Sequence, residues 1–224
     1  PLSYSEEERA KRILEESIVI SLHDHLYILP EDVKQIAGYN REGRKRTAFE
    51  GMSVSKLDAV FDNLGSCAIT SRMGWKWPDV IHELGMRLSD IAHQDFVIKA
   101  TGVEDILRAH HEGKIAVIFS LEAGTSIENE ADRIDILYGF GVRMMGIAYS
   151  GSNMLGSGQE EDRDGGLTHF GRQAVRRMNR IGMAIDVAHS GDRTAMDVIE
   201  ASEQPVFISH SGARALCTED MPNF

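Results

Sequence analysis

The sequence predicts an α/β protein of the (β/α)8 TIM-barrel class, with about six βα units present and the last strands lacking at the C-terminus. Short apolar runs alternate with helical patterns along the chain, and polar residues end many of these runs. Active sites of barrels are assembled from residues at several strand ends. No glycine-rich phosphate fingerprint follows the first strand, which argues against a dinucleotide-binding sheet. An open parallel sheet that never closes remains the alternative.

Six runs rich in apolar and β-branched residues are predicted to be the strands. They cover residues 18–23, 66–71, 115–121, 142–149, 183–188 and 205–209. Helices are predicted at residues 5–16, 56–64, 78–93, 103–111, 131–138, 169–180 and 193–201. A barrel needs eight strands and typically about 250 residues, so we expect residues 1–224 to be one domain that lacks its last strands.

Composition and charge narrow the function classes. The 224 residues carry a formal net charge of −11, which argues against a nucleic-acid partner because a phosphate backbone requires a basic face. No stretch reaches the roughly 18 apolar residues of a membrane-spanning helix. The N-terminal residues lack the apolar core of a signal peptide, and the two cysteines form no disulfide framework. We therefore expect a cytoplasmic protein without a membrane segment.

The pair His23 and His25 ends the first predicted strand. Side chains alternate across a strand, so residues i and i+2 point to the same face. In a barrel that face is the interior, where two neutral imidazoles bind one divalent ion. An ordinary pair of surface histidines is the alternative, since the motif has only two residues.

Three further strand ends carry residues of the same chemical kind. Glu122 follows an apolar strand, where an unpaired carboxylate is costly and calls for a cation; the alternative is a residue that caps the next helix. His189 and His210 end two later strands. Four strand ends with ligand-type residues predict a site for two divalent ions, and borderline imidazole ligands favour zinc. Such a site activates a bound hydroxide for hydrolysis of an amide or ester.

Four segments resemble the membrane (renal) dipeptidase family of metallopeptidases, which has an amidohydrolase-type barrel. They are SLHDHL at 21–26, FSLEAG at 119–124, GLTHFGRQAVRRMNRIGMAIDVAHSG at 166–191 and PVFISHSGARAL at 205–216. The resemblance implies a (β/α)8 barrel with a binuclear zinc site. It also implies cleavage of dipeptides, a small-molecule substrate, and a homodimer.

The same resemblance implies a role for each candidate ligand. His23 and the residue at position 25 would bind one ion, Glu122 would bridge as the catalytic carboxylate, and His189 and His210 would bind the second ion. The family usually has Asp where this chain has His25. An imidazole there leaves the site one charge more positive, which weakens one metal position or changes the preferred metal.

Substrate-binding positions also depart from the family pattern. Tyr149 stands where the family has a His or Tyr that contacts the reacting group, and Asn153 follows in the next loop as a second substrate-binding candidate. A phenol donates to a developing oxyanion, although a packed aromatic is an equal alternative. The family's carboxylate-binding Arg would fall near Met221, where no Arg stands. Hydrolysis of lactones or acyl-amino acids, and a non-catalytic relative, therefore stay open beside dipeptide cleavage.

Overall fold

The computed structural model describes residues 3–26, 48–64 and 76–216. The chain divides into two compact units. The first unit comprises Pro1–Asp62 and Arg87–Ile118, and the second comprises Asn63–Met86 and Phe119–Phe224. Whether all 224 residues form a single domain stays a prediction.

Helices and strands alternate along the described chain. In chain order they are α1 (Tyr4–Glu16), β1 (Ile20–Asp24), α2 (Phe49–Met52), β2 (Ala59–Leu64), α3 (Trp77–Ile91), β3 (Val97–Lys99), α4 (Val103–Glu112), β4 (Ile115–Leu121), α5 (Asp132–Phe140), β5 (Val142–Gly146), α6 (His169–Ile181), β6 (Ala184–Asp186), α7 (Asp192–Ala201) and β7 (Val206–Phe207). Short 3₁₀ helices occupy Gly124–Ile127 and Arg214–Leu216. None of the described helices is long and apolar enough to cross a membrane.

Parallel strand pairs form the sheet within each unit. In the first unit β1 pairs with β2 and β3 pairs with β4, both in parallel. A small apolar cluster supports them, formed by Ala59, Ala100, Ala109, Ala116 and Ile118. In the second unit β4, β5, β6 and β7 pair in that order, all in parallel. The fold class is α/β of the (β/α)8 barrel type, as the alternation of patterns predicts. The described residues contain seven parallel strands, and two of them, β2 and β3, were not among the six predicted.

Helix α6 shows how local sequence sets the element boundaries. The Thr168 hydroxyl oxygen accepts from the Gly171 amide at 2.9 Å, which satisfies one of the unpaired amides of the first turn. Gly182 ends the helix with φ +80°, a left-handed conformation that glycine adopts without strain. This helix therefore begins and ends within a residue of the predicted bounds, and its C-terminus leads directly into β6.

The prediction of a helix at residues 56–64 is wrong, because β2 occupies Ala59–Leu64. Both faces of this strand are buried, and a strand of this kind normally reads as a continuous apolar run. The polar residues Asp62 and Asn63 interrupt that run, so the sequence did not show the strand pattern. Asp62 is paired with the buried Arg87, whose Nε lies 2.7 Å from Oδ2. That compensation comes from a residue 25 positions away and is invisible in the local sequence. The strand predicted at residues 66–71 lies outside the described residues.

Candidate metal centre

Strand β4 delivers Glu122 to the candidate site of the second unit. All seven residues of β4 are buried, and Glu122, the next residue, is only 4% exposed. A carboxylate at such a depth requires positive or hydrogen-bonding partners. The neighbouring strand β5 approaches it closely, because a Cβ added at Gly146 would lie 1.9 Å from the Glu122 carbonyl oxygen. The glycine at the end of β5 therefore fixes where the Glu122 backbone lies.

Replacing Gly146 by Ala should displace the Glu122 backbone and destabilise the protein by about 1–3 kcal/mol, the usual cost of overpacking. The free energy of unfolding, measured by denaturant titration, checks this. Gly139→Ala is the matched control, because a Cβ there meets nothing within 4 Å in the exposed part of α5. The control should be neutral or slightly stabilising. Equal stabilities for the two variants would contradict the close approach at Gly146.

The imidazoles of His189 and His210 converge on the Glu122 carboxylate. His189 Nε2 lies 2.9 Å from Glu122 Oε1, and His210 Nε2 lies 3.4 Å from the same oxygen. The two Nε2 atoms are 2.8 Å apart. His189 reaches this position after β6 with φ +63°, in the left-handed region that non-glycine residues rarely occupy. The three strand-end residues that the sequence singled out are thus brought together within the second unit.

The donor atoms of this cluster suit a divalent cation. Two imidazole nitrogens and one carboxylate oxygen are common zinc ligands. Two neutral imidazoles facing each other at nitrogen share one proton at most between the nitrogens, whereas a cation would be attracted by both lone pairs. The Nδ1 atom of His189 is buried, and no hydrogen-bond partner for it lies among the described residues. The residues present therefore fit a metal ion at Glu122, His189 and His210.

Tyr149 packs against His189, one of the candidate metal ligands. Its ring centroid lies 4.2 Å from that of His189. Burial raises the pKa of the Tyr149 phenol, and the negative charges of Glu122 and Glu160 raise it further. The phenol is therefore protonated at neutral pH.

Asn153 holds its own loop together. Its Nδ2 donates to the Ile147 carbonyl at 2.7 Å and to the Thr125 hydroxyl at 3.2 Å. Its Oδ1 accepts from the amides of Leu155 and Gly156. Through these bonds the Asn153 side chain stabilises the loop after β5. Its predicted role in binding substrate stays a prediction.

The histidine pair of the first unit lies at the end of β1. The Nε2 atoms of His23 and His25 are 3.1 Å apart, so the two rings lie on the same side of the chain, as the alternation of strand side chains predicts. Asp24 accepts from the His25 amide through Oδ1 at 2.8 Å. The carboxylate of Asp24, the residue between the two histidines, is therefore hydrogen-bonded to the backbone. Two imidazole nitrogens at this separation form a second candidate set of metal ligands.

Two residues that the sequence did not single out are linked to His210 in the second unit, Ser209 directly and Asp186 through Ser209. The Ser209 hydroxyl lies 2.9 Å from His210 Nδ1, and it donates to the buried carboxylate of Asp186. The sequence signals were a charged residue inside the apolar run of β6 and a serine directly before a candidate ligand. Neither signal specifies a partner, so the contact is visible only in the structure.

Comparisons with known proteins identify the family to which the chain belongs. The family model described as Membrane dipeptidase (Peptidase family M19) matches residues 7–223. Dipeptidase 3 of Rattus norvegicus is 36% identical over 110 residues, which are 46% of this chain and 22% of that protein. The chain thus spans less than a quarter of this relative.

Solved structures show the same likeness. An amidohydrolase from Pseudomonas aeruginosa superposes with a TM-score of 0.72 at 26% identity, over 89% of this chain and 55% of that chain. A metallo peptidase from Rhodobacter sphaeroides, liganded with a phosphinate mimic of the dipeptide L-Ala-D-Ala, gives a TM-score of 0.60 at 19% identity. That match covers 92% of this chain and 56% of the other, and it shows likeness of fold alone.

Proposed function

The chain belongs to the membrane dipeptidase family, peptidase family M19, and from that premise we propose that it is a zinc-dependent hydrolase of dipeptides or related small amides. The observation that carries the proposal is the convergence of His189 and His210 on the Glu122 carboxylate. The family assignment agrees with the resemblance found in the four sequence segments. The family is one of metallopeptidases. That the metal is zinc, and that two ions bind, are parts of the proposal.

Each unit has its own set of candidate ligands. Glu122, His189 and His210 would hold one divalent ion, and His23 and His25 would hold another. Nitrogen and oxygen donors of this kind favour zinc over magnesium or calcium. Bound ions of this type supply a water nucleophile that is active at neutral pH. The Tyr149 phenol, whose pKa is raised, would donate a hydrogen bond to the oxygen that becomes negative during hydrolysis.

A cleft beside His189 supports a small-molecule substrate. Its lining includes Gln159, Glu161, Asp162, His189 and Ser211. The Rhodobacter sphaeroides relative is liganded with a dipeptide mimic, so a substrate of dipeptide size is the proposal for this chain. A cytoplasmic location and a homodimer are proposed with it, on the sequence composition and the family resemblance.

Metal analysis tests the proposal directly. Protein purified without chelator should contain about two zinc ions per chain, as a binuclear site requires, and should hydrolyse unblocked dipeptides. Treatment with a chelator should abolish the rate, and added zinc should restore it. Zinc with activity only on lactones or acyl-amino acids would favour the other amidohydrolase chemistry. A protein with no zinc and no turnover would be a non-catalytic relative and would refute the proposal.

Replacing His25 by Asp tests the charge of the His23 site. A carboxylate attracts a dication, and at 4 Å two unit charges interact by about 4 kcal/mol at an effective dielectric of 20. Desolvation offsets part of this gain, so we expect zinc at this position to bind at least about tenfold tighter. Competition with a fluorescent chelator measures the affinity. His82→Asp, on helix α3, is the control and should leave zinc affinity unchanged. Weaker binding by His25→Asp would contradict the charge argument.

A further inference from the structure

A buried carboxylate in the second unit has no role in the chemistry described so far. Asp186 is the last residue of β6 and is only 2% exposed. Its Oδ1 accepts from the amides of Ala188 and Ser209, each at 3.1 Å. Its Oδ2 accepts the hydroxyl proton of Ser209. Three donors thus point at one carboxylate, and two of them come from the residue before His210.

The direction of the Ser209 hydroxyl bond determines which nitrogen of His210 carries the proton. A carboxylate only accepts, so the single Ser209 hydroxyl proton is directed to Asp186. The hydroxyl oxygen therefore presents lone pairs to His210 Nδ1, which lies 2.9 Å away. A neutral imidazole carries one proton. The proton of His210 must then reside on Nδ1, which leaves Nε2 as the unprotonated nitrogen.

The unprotonated nitrogen is the one that faces the candidate metal centre. His210 Nε2 lies 2.8 Å from His189 Nε2 and 3.4 Å from Glu122 Oε1. We propose that Asp186 and Ser209 are positioning residues that hold His210 in the tautomer able to bind a metal ion through Nε2. This proposal rests on the metal-dependent function proposed above. It adds two residues, Asp186 and Ser209, that act through His210 and touch neither metal nor substrate.

The other histidine of the cluster lacks this arrangement. No partner for His189 Nδ1 lies within the described part of the chain. In the absence of a metal, the short distances from His189 Nε2 to Glu122 and His210 place its proton on Nε2. The two histidines therefore carry opposite tautomers, and loss of the Asp186–Ser209 contact should change only His210.

Asp186→Asn is the sharpest test, because it keeps the shape of the side chain and reverses the direction of two hydrogen bonds, the one between residue 186 and the Ser209 hydroxyl and the one between that hydroxyl and His210. The Asn oxygen still accepts from the two backbone amides. Its NH2 group replaces Oδ2 and donates to Ser209, so the Ser209 hydroxyl must turn and donate to His210 Nδ1. The His210 proton then resides on Nε2. Long-range ¹H–¹⁵N spectra of ¹⁵N-histidine-labelled, metal-free protein distinguish the two tautomers above the ordinary pKa of histidine.

We expect the wild-type protein to show His210 protonated on Nδ1 and Asp186→Asn to show it protonated on Nε2. Ser209→Ala should give a mixture, and Ser209→Thr, which keeps the hydroxyl, should match the wild type. Zinc affinity of one position should fall about 10–100-fold in Asp186→Asn, as for other partners of metal-binding histidines. Asp197→Asn, a carboxylate on α7 that accepts from the Leu167 amide, is the matched control and should bind zinc like the wild type.

An unchanged His210 tautomer in Asp186→Asn would overturn this proposal even if the protein hydrolyses dipeptides. A wild-type protein that binds no zinc would refute the proposed function instead, and the tautomer measurement on metal-free protein would still decide the role of Asp186. Loss of zinc from the Asp197→Asn control as well would indicate general destabilisation and would also count against a positioning role.

Discussion

Glu122→Gln is expected to lower the zinc content from about two ions per chain to about one, and to lower the rate of dipeptide hydrolysis by more than about a hundredfold. Outer partners of metal ligands already cost about 10–100-fold when they are removed, and a ligand itself should cost more. Glutamine keeps the shape of the side chain and its buried position, but it removes the negative charge that faces two imidazoles. Elemental analysis and single-substrate kinetics measure the two effects.

A matched control separates charge loss from general damage. Glu200→Gln, on the exposed side of α7, should retain zinc and rate. The free energy of unfolding of metal-free Glu122→Gln should not fall, because the substitution removes a buried charge that is costly without a cation. Unchanged zinc content and unchanged rate in Glu122→Gln would remove this residue from the metal centre and would leave the proposed function without its main support.

The convergence of Glu122, His189 and His210 could be predicted from sequence because it depends on one rule. Residues directly after parallel strands meet at the same end of the sheet. Each residue alone is ambiguous, and the order of strand, ligand-type residue and helix along the chain removes the ambiguity. The same rule indicates neither distances nor tautomers, which depend on side-chain packing.

The hydrogen bonds that link Asp186 through Ser209 to His210 could not be predicted, for a physical reason. A serine beside a histidine, and an aspartate inside an apolar strand, each have many satisfactory partners in a folded protein. Which partner each residue contacts depends on how β6 and β7 are aligned, with Ile185 opposite Val206.

Asn153 shows the opposite case, a residue that the sequence singled out and whose contacts are structural. Its loop position suggested substrate binding, whereas its four side-chain hydrogen bonds are all made with residues of the loop and its neighbours.

The misassigned strand β2 has a similar cause. Local sequence shows charged and amide side chains in the middle of the run from Ala59 to Leu64, a pattern that favours a helix with one polar face. In the structure Arg87 neutralises Asp62, and the Ser120 hydroxyl donates to Asn63 at 2.8 Å. Both residues are thereby buried within a strand. Long-range compensation of polar groups overrides the periodic pattern at this position.

Tyr149→Phe is expected to reduce kcat on the order of a hundredfold while KM changes little. A donor that contacts the reacting oxygen acts mainly in the transition state, and removing one such donor costs about 10²–10³ in rate. Phenylalanine keeps the ring that packs 4.2 Å from His189 and removes only the hydroxyl. The raised pKa keeps the proton on the wild-type phenol at neutral pH, so the full effect should appear there. Steady-state kinetics on a dipeptide at saturating zinc measures kcat and KM separately.

Zinc content decides between a role in the reaction and a role in packing. If the phenol only packs against His189, the Phe variant should retain both kcat and zinc. If it supports the metal centre, zinc content should fall together with the rate. A catalytic donor predicts normal zinc content with a low kcat. Tyr138→Phe is the control, because Tyr138 stacks with Arg143 on the second unit and its hydroxyl should be irrelevant to the rate. A Tyr149→Phe variant with the wild-type kcat would show that the phenol packs beside the centre without acting in the reaction.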